Sequence, residues 1–386
     1  MQFSNEQKDP DHITVVTGDR NVKLAFVRDK DRIFLMSSGY EARWPSEILR
    51  SGNVSFYLGS EHGDGVASLV TDHDMIDEIS SMFILKYGNG YYERYFSRKG
   101  RTISIEIGKH ISGERDRNYY EWLNQEFDSV ADEYDNHIFG NSINVILRDR
   151  SLKILKQYLK PGSHILDIGC GTGAETLELL KSGMHVTAVD ISDKMLNNLR
   201  EKARSLNLIE NLVTYRGKAS ELQFLSEIYG NGYFQLAYST YGALNCEPHI
   251  EKMGEQLSSL LQKQGIFIAG VYNKYCLSET LLNAVSLRFN RLSWRFRNPI
   301  AEGRSRFCID VYSFSPKEFY SLFSDRFRLL RTIGIAVLLP PSNYHRAMRM
   351  FNRKMDRISN MDRKLSGHWP FKYLGDHFIQ VMEKIS

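Results

Sequence analysis

Residues 165–174 read Ile165-Leu166-Asp167-Ile168-Gly169-Cys170-Gly171-Thr172-Gly173-Ala174. Three apolar residues around one carboxylate make a short buried strand. Three glycines at alternate positions end it, and a helix opens at Ala174. Such glycines let the backbone turn tightly and come close to a ligand, which meets the amides at the head of the helix. The next strand, His185 to Val189, ends on Asp190, where a carboxylate can take both hydroxyls of a ribose.

The alternation continues outward from this turn. A helix is predicted from Asp193 to Leu206, with strands at Leu212 to Tyr215, Phe234 to Tyr238 and Gly265 to Tyr272. Ser315-Pro316-Lys317-Glu318 is a capping box with proline at the first helical position. Phe327 to Ile335 and Phe378 to Met382 supply two closing strands. The pattern predicts a Rossmann-like doubly wound α/β domain over 145–386, with helical insertions at 274–308 and 340–372. Residues 111–144, charged and aromatic, read as a helical connector.

Two ligands compete for the loop. Gly169, Gly171 and Ala174 formally meet a dinucleotide fingerprint. Asp167 argues against it, because a carboxylate beside a pyrophosphate repels it, whereas one beside a sulfonium and an amino group attracts it. Asp167, the three glycines and Asp190 together favour S-adenosylmethionine.

On these residues the chain from about 120 to 386 resembles the class I S-adenosylmethionine-dependent methyltransferases. Asp167 to Gly173, with Cys170 as a small filler, is similar to their first motif, and Asp190, Ile191, Ser192 and Met195 to their second. Ala131-Asp132-Glu133-Tyr134-Asp135 resembles the lead-in whose Tyr lies over the cofactor. Tyr238 to Asn245 falls where the family lines the space between cofactor and acceptor, so the resemblance implies Ser239, Tyr241 and Asn245 there. Leu374-Gly375-Asp376-His377-Phe378 is similar to the start of the last, antiparallel strand. Two positions depart from the family. Lys218 replaces an acidic residue expected against the adenine, which leaves that ring to Ala219 and Ser220. The fourth strand opens Phe234-Gln235 rather than with Asp.

Methyl transfer needs alignment and exclusion of water, and a base only when the acceptor must lose a proton. Tyr241, Asn245 and Tyr272 are the candidates near the methyl, and His345 could reach in from the second insertion. No metal-ligand spacing occurs, and Cys170, Cys246, Cys276 and Cys308 are scattered, as expected of reduced thiols.

Ahead of this domain, residues 1–110 read as short β-branched and aromatic runs: Val22 to Val27, Arg32 to Met36, Val54 to Leu58, Val66 to Val70 and Ile103 to Ile107. Turns are expected at Arg28 to Asp31 and at Glu61 to Gly65. One amphipathic helix carries Met75, Ile76, Ile79, Met82 and Phe83. Lys23 to Val27, Ile33 to Ser38, Arg43-Trp44 and Asn53 to Leu58 resemble the split β-barrel of flavin and deazaflavin oxidoreductases related to pyridoxamine phosphate oxidase. That resemblance implies Lys23, Ser37, Ser38 and Arg43 as phosphate contacts. A cofactor-free barrel for dimerisation or docking is the preferred reading, and a flavin or deazaflavin barrel the alternative.

Composition bounds the rest. The 386 residues are 42% hydrophobic and 25% charged, which suits two or three globular domains. The polar, acidic opening and the lack of a long apolar run predict a cytoplasmic protein. The net charge of +4 is uneven: residues 286–372 hold 18 basic against 6 acidic side chains. Arginine mixed with aromatics there suits a small-molecule acceptor with anionic and apolar parts, with membrane-surface contact or nucleic acid ranked behind it. A non-catalytic S-adenosylmethionine-binding module is the remaining alternative.

Overall fold

The structure, a computed structural model, describes residues 11–17, 20–38, 42, 44–96, 100–109, 115–296, 300–301, 309–341 and 355–385. Arg43, Cys308 and His345 lie outside the described residues. The chain divides into two compact units, 1–129 with 301–309 and 130–300 with 310–386.

The first unit is built on seven antiparallel strands: β1 (Ile13–Thr17), β2 (Arg20–Leu24), β3 (Phe26–Asp29), β4 (Arg32–Met36), β5 (Asn53–Leu58), β6 (Glu61–Leu69) and β7 (Thr102–Ile107). Their order is β2-β1-β5-β6-β7-β4-β3. The two edges, β2 and β3, are consecutive in the chain and separated only by Ala25, so the sheet curls round on itself. β4 is buried on both faces. Ile33 and Leu35 sit in register with Ile105 and Ile103 of β7, while Phe34 and Met36 join Ile79 and Phe83 of the helix His73–Tyr87. Glu61 to Gly65, expected as a turn, is the first half of β6. The chain reverses instead at Gly59, whose φ is 60°. Gly63 is opposite Phe56, and a Cβ there would come within 2.5 Å of the Phe56 ring, so glycine here serves packing rather than turning. Inside this unit Arg101 pairs with Glu126 of the helix Arg115–Val130, with Nε to Oε1 at 2.7 Å.

The second unit carries β8 (His164–Ile168), β9 (His185–Asp190), β10 (Leu212–Arg216), β11 (Phe234–Ser239), β12 (Leu261–Tyr272), β13 (Phe327–Ile335) and β14 (His377–Lys384). The sheet order is β10-β9-β8-β11-β12-β14-β13, with β14 antiparallel to both neighbours and the first five strands parallel. Ile165 faces a core with Leu179, Leu199 and Tyr238, and Leu166 faces one with Leu257, Phe267 and Phe323. Burial on both faces explains why β8 is apolar on either side of Asp167. The order reverses between β8 and β11, so the crevice for a ligand opens beyond the carboxyl ends of those strands. That is where the glycine turn lies. Ser315 caps the helix Pro316–Ser321 with the expected reciprocal box.

Among the described residues no helix is long and apolar enough to cross a membrane.

Candidate functional site

Gly169, Gly171 and Gly173 all have positive φ, at 73°, 53° and 81°. A Cβ on Gly169 would lie 2.4 Å from that of Ala243, and one on Gly173 would lie 2.1 Å from Leu199 Cδ1. The outer two glycines therefore seat the loop, against the Tyr241–Ala243 turn and against the helix Asp193–Ser205. Gly171 is the open one: Tyr134 Cε1, at 3.7 Å, is the nearest atom to a Cβ built there.

The lead-in is anchored to the loop by Asp135. It accepts from Thr172 Oγ1 at 2.5 Å and from Lys202, whose Nζ also donates to the Thr172 carbonyl at 3.1 Å. Burial pushes the Tyr134 hydroxyl up to about 12, with Arg148 opposing and Asp190 and Glu175 assisting. It is therefore a neutral phenol.

Asp167 is 3% exposed at the end of β8. Its Oδ2 accepts from Tyr238 OH at 2.5 Å and from Thr176. Burial raises its pKa to about 7 against the pull of both donors. Asp190 accepts from Gly171 N at 2.7 Å and from Ser192 N at 2.9 Å, while Ser192 caps the next helix through Met195 N at 3.1 Å. Ile191 is half-buried, and its carbonyl accepts from Arg216 Nε at 3.1 Å. Burial raises the Cys170 thiol well above its ordinary range, which keeps it a neutral filler. The Ser239 hydroxyl, fully buried at the end of β11, has no hydrogen-bond partner among the described residues.

Ser220 N donates to Glu247 Oε2 at 3.2 Å, beside the half-buried Ala219. Lys218 is paired with Glu221 at 2.7 Å. Gln235 is at the opposite end of the sheet, where it accepts from His164 N at 2.5 Å, so that departure from the family pattern touches strand pairing alone.

Tyr241 adopts φ 60°, unusual for a bulky residue, next to Gly242 at φ 76°. Its hydroxyl donates to the Asn144 carbonyl at 3.2 Å, and the Arg148 guanidinium lies 4.0 Å from its ring centroid. Arg148 in turn grips both oxygens of Glu175, at 2.7 and 2.6 Å. Asn245 is fully engaged: Nδ2 donates to the Tyr312 carbonyl at 2.6 Å and to that of Tyr272 at 3.3 Å, and Oδ1 accepts from Tyr272 N at 2.8 Å. It pins the turn to the end of β12.

Sequence reasoning did not single out Asp135 as an anchor, nor Arg148, Glu175 or Glu247. It also missed a buried network at the start of β14. Arg295 binds Glu279 and donates from Nη2 to Asp376 Oδ1 at 2.6 Å, and its guanidinium lies 4.2 Å from the Tyr272 ring centroid. Asp376 Oδ2 stands 3.0 Å from His377 Nδ1. The only advance signal was Asp376-His377 within the family's last-strand opening. A cavity of about 200 Å³ in the first insertion is bordered by Arg295 and lined by Tyr275, Arg291, Trp294, Phe296 and Leu374.

The loop fits S-adenosylmethionine: the open face of Gly171, acceptors at Asp167 and Asp190, and a buried Ser239 hydroxyl without a hydrogen-bond partner among the described residues match a cationic, ribose-bearing ligand. A pyrophosphate would meet Asp167 unfavourably.

Residues 165–265 match the methyltransferase domain family. A ubiquinone/menaquinone biosynthesis C-methyltransferase of Rickettsia peacockii (strain Rustic) is 31% identical over 160 residues, covering 39% of this chain and 61% of the relative. The chain thus spans about three fifths of that relative's length. Among solved structures, 1,6-didemethyltoxoflavin-N1-methyltransferase of Burkholderia thailandensis, with S-adenosylhomocysteine bound, is 16% identical, with a TM-score of 0.44 over 72% of this chain and 94% of its own. Geranyl diphosphate C-methyltransferase of Streptomyces coelicolor A3(2) is 12% identical, with a TM-score of 0.39 over 61% of this chain and 76% of its own.

Proposed function

We propose that this protein is an S-adenosylmethionine-dependent methyltransferase acting on a small-molecule acceptor. The observation that carries the reading is the pair of carboxylates flanking three left-handed glycines, Asp167 at the end of β8 and Asp190 at the end of β9. Bound there, S-adenosylmethionine supplies an electrophilic methyl on a sulfonium. Asp190 takes the ribose hydroxyls, Ser239 and Asp167 face the amino-acid end, Ala219, Ser220, Ile191 and Met195 border the adenine, and Tyr134 covers the loop from outside. Tyr241 and Asn245 shape the wall between donor and acceptor. Tyr241 does so with its ring held by Arg148, and Asn245 by fixing the backbone of Tyr272.

The cavity beside Arg295 supports an acceptor with an apolar or aromatic body and an anionic group, because Trp294 and Phe296 line it together with Arg291. The first unit is read as a split β-barrel of the flavin-oxidoreductase type, used for docking or dimerisation. Its support is the Ala25 joint, which makes both edges of the sheet halves of one run. Ser37 Oγ of that unit accepts from the Arg101 N–H at 2.6 Å, and Lys23 and Ser38 are exposed.

Calorimetric titration of the full chain with S-adenosylmethionine, with NADH as control and the visible spectrum recorded beforehand, tests the reading. Micromolar binding of S-adenosylmethionine alone supports it. A flavin spectrum without methyl-donor binding moves the function to the first unit.

A further inference from the structure

His377 is the first residue of β14, and its two ring nitrogens face different surroundings. Nδ1 is 3.0 Å from Asp376 Oδ2. Nε2 points the other way, 3.8 Å from where a Cβ on Gly242 would stand. The same turn meets the glycine loop one residue later, through Ala243 against Gly169. One short turn therefore touches the donor loop on one side and a histidine nitrogen on the other. Nε2 has no hydrogen-bond partner among the described residues, and the side chain keeps 21% of its surface exposed.

We propose that His377 is the general base of the reaction and Asp376 its positioning residue. This rests on the methyl-transfer reading above, and it narrows the acceptor class: the acceptor loses a proton as it is methylated, as a hydroxyl or an acidified C–H does and a tertiary amine or thioether does not.

The supporting chemistry lies in what surrounds Asp376. Burial alone would raise its carboxyl, but the Arg295 guanidinium and His377 hold it well below the usual range, so it is an ionised acceptor. An ionised carboxylate accepts only, so Nδ1 carries the hydrogen and Nε2 keeps its lone pair. Arg295 is held by Glu279 and by the carbonyls of Asn273 and Asp376, so the carboxylate cannot swing away. From the other elements, Tyr272 of β12 faces the imidazole edge-on at 5.4 Å between centroids, and Tyr241 of the turn lies at 6.5 Å. Both are phenols, so Asp376 is the nearest charge and Arg295 and Glu279 stand behind it.

In the step, an electron pair of the acceptor atom forms the new bond to the methyl (a lone pair of a hydroxyl oxygen, whose O–H pair stays on oxygen, or the C–H pair of an acidified carbon), and the methyl–sulfur pair stays on the sulfur. The proton passes to Nε2, and the resulting imidazolium is balanced by the Asp376 carboxylate, the arrangement in which a carboxylate stabilises a histidine that has taken a proton. The imidazolium then returns its proton to water.

The test needs no acceptor. In the full chain labelled with ¹⁵N-histidine, the ring nitrogens of His377 are followed by NMR across pH, assigned by the loss of its signals in His377→Gln. The Nδ1–H tautomer is expected. Its Nε2 resonance should move when S-adenosylhomocysteine is replaced by S-adenosylmethionine, because only the latter places a sulfonium charge beside the ring. Asp376→Asn should mix the tautomers, a change that packing alone does not produce. If both ligands bind and His377 holds its hydrogen on Nε2, or its Nε2 resonance is the same with the two, the base assignment is overturned and the methyltransferase reading stands. If neither ligand binds, both fall.

Discussion

A single carboxylate, Asp190, closes the glycine loop on itself: it accepts from the Gly171 amide at 2.7 Å, and through its other oxygen from Ser192 at 2.9 Å. The residue read as the ribose acceptor is thereby also the tie between the loop and the helix that follows β9. Asp190→Ala loses both roles, so S-adenosylmethionine affinity should fall at least about tenfold, with a stability loss of about 1 kcal/mol or more. Calorimetry showing unchanged affinity contradicts the placement of the ribose.

Asp167 makes binding depend on pH. Its pKa is near 7, from burial, against an ordinary 3.8. The folded state thus holds a proton between those values that the unfolded chain has released, so this group's contribution to stability declines as pH rises from about 4 to 7 and is level above. A cationic ligand favours the carboxylate and expels the proton. Affinity for S-adenosylmethionine should therefore rise with pH up to about 7 and then level off, with proton release seen as buffer-dependent calorimetric enthalpy near pH 6.5. Asp167→Asn should abolish both the release and the slope; a slope that persists in the variant rules out Asp167 as its source.

Arg148 and Glu175 are a nearly buried pair under Tyr241. Removing one partner strands the other's charge, so Arg148→Met should cost about 3–5 kcal/mol, while Arg148→Met with Glu175→Leu should recover much of it. Denaturant unfolding of the two variants decides, and equal losses in both mean that the pair's charge is not what matters.

Gly169→Ala should impair binding and stability together. The added Cβ would stand 2.4 Å from Ala243 Cβ at a φ of 73°. Ala243→Gly makes room but leaves the backbone strain, so partial rescue of the melting temperature is expected in the double variant. Full rescue would show that strain is negligible.

The glycine loop, the two carboxylates and the Ser315 capping box were legible because each is a local device: φ sign, strand polarity and helix capping depend on residues within a few positions. The same holds for β8, β9 and β11, whose burial on both faces writes itself as short, largely apolar runs. The Glu61–Gly65 stretch misled because glycine serves both turns and close packing, and only the Phe56 ring across the strand pair tells which.

Sequence by itself thus determined the strand–turn–helix succession at the donor loop and the residues presented along its rim. Tertiary structure alone decided their company. Arg295 meets Asp376 across 81 positions, Arg150 meets Asp362 across 212, and Tyr241 meets Asn144 across 97. No local propensity encodes such pairs: each side chain, taken singly, reads as an ordinary polar residue. Burial removes the competing water and turns separate charges into one network, and that network gives His377 a carboxylate on one nitrogen and a free lone pair on the other.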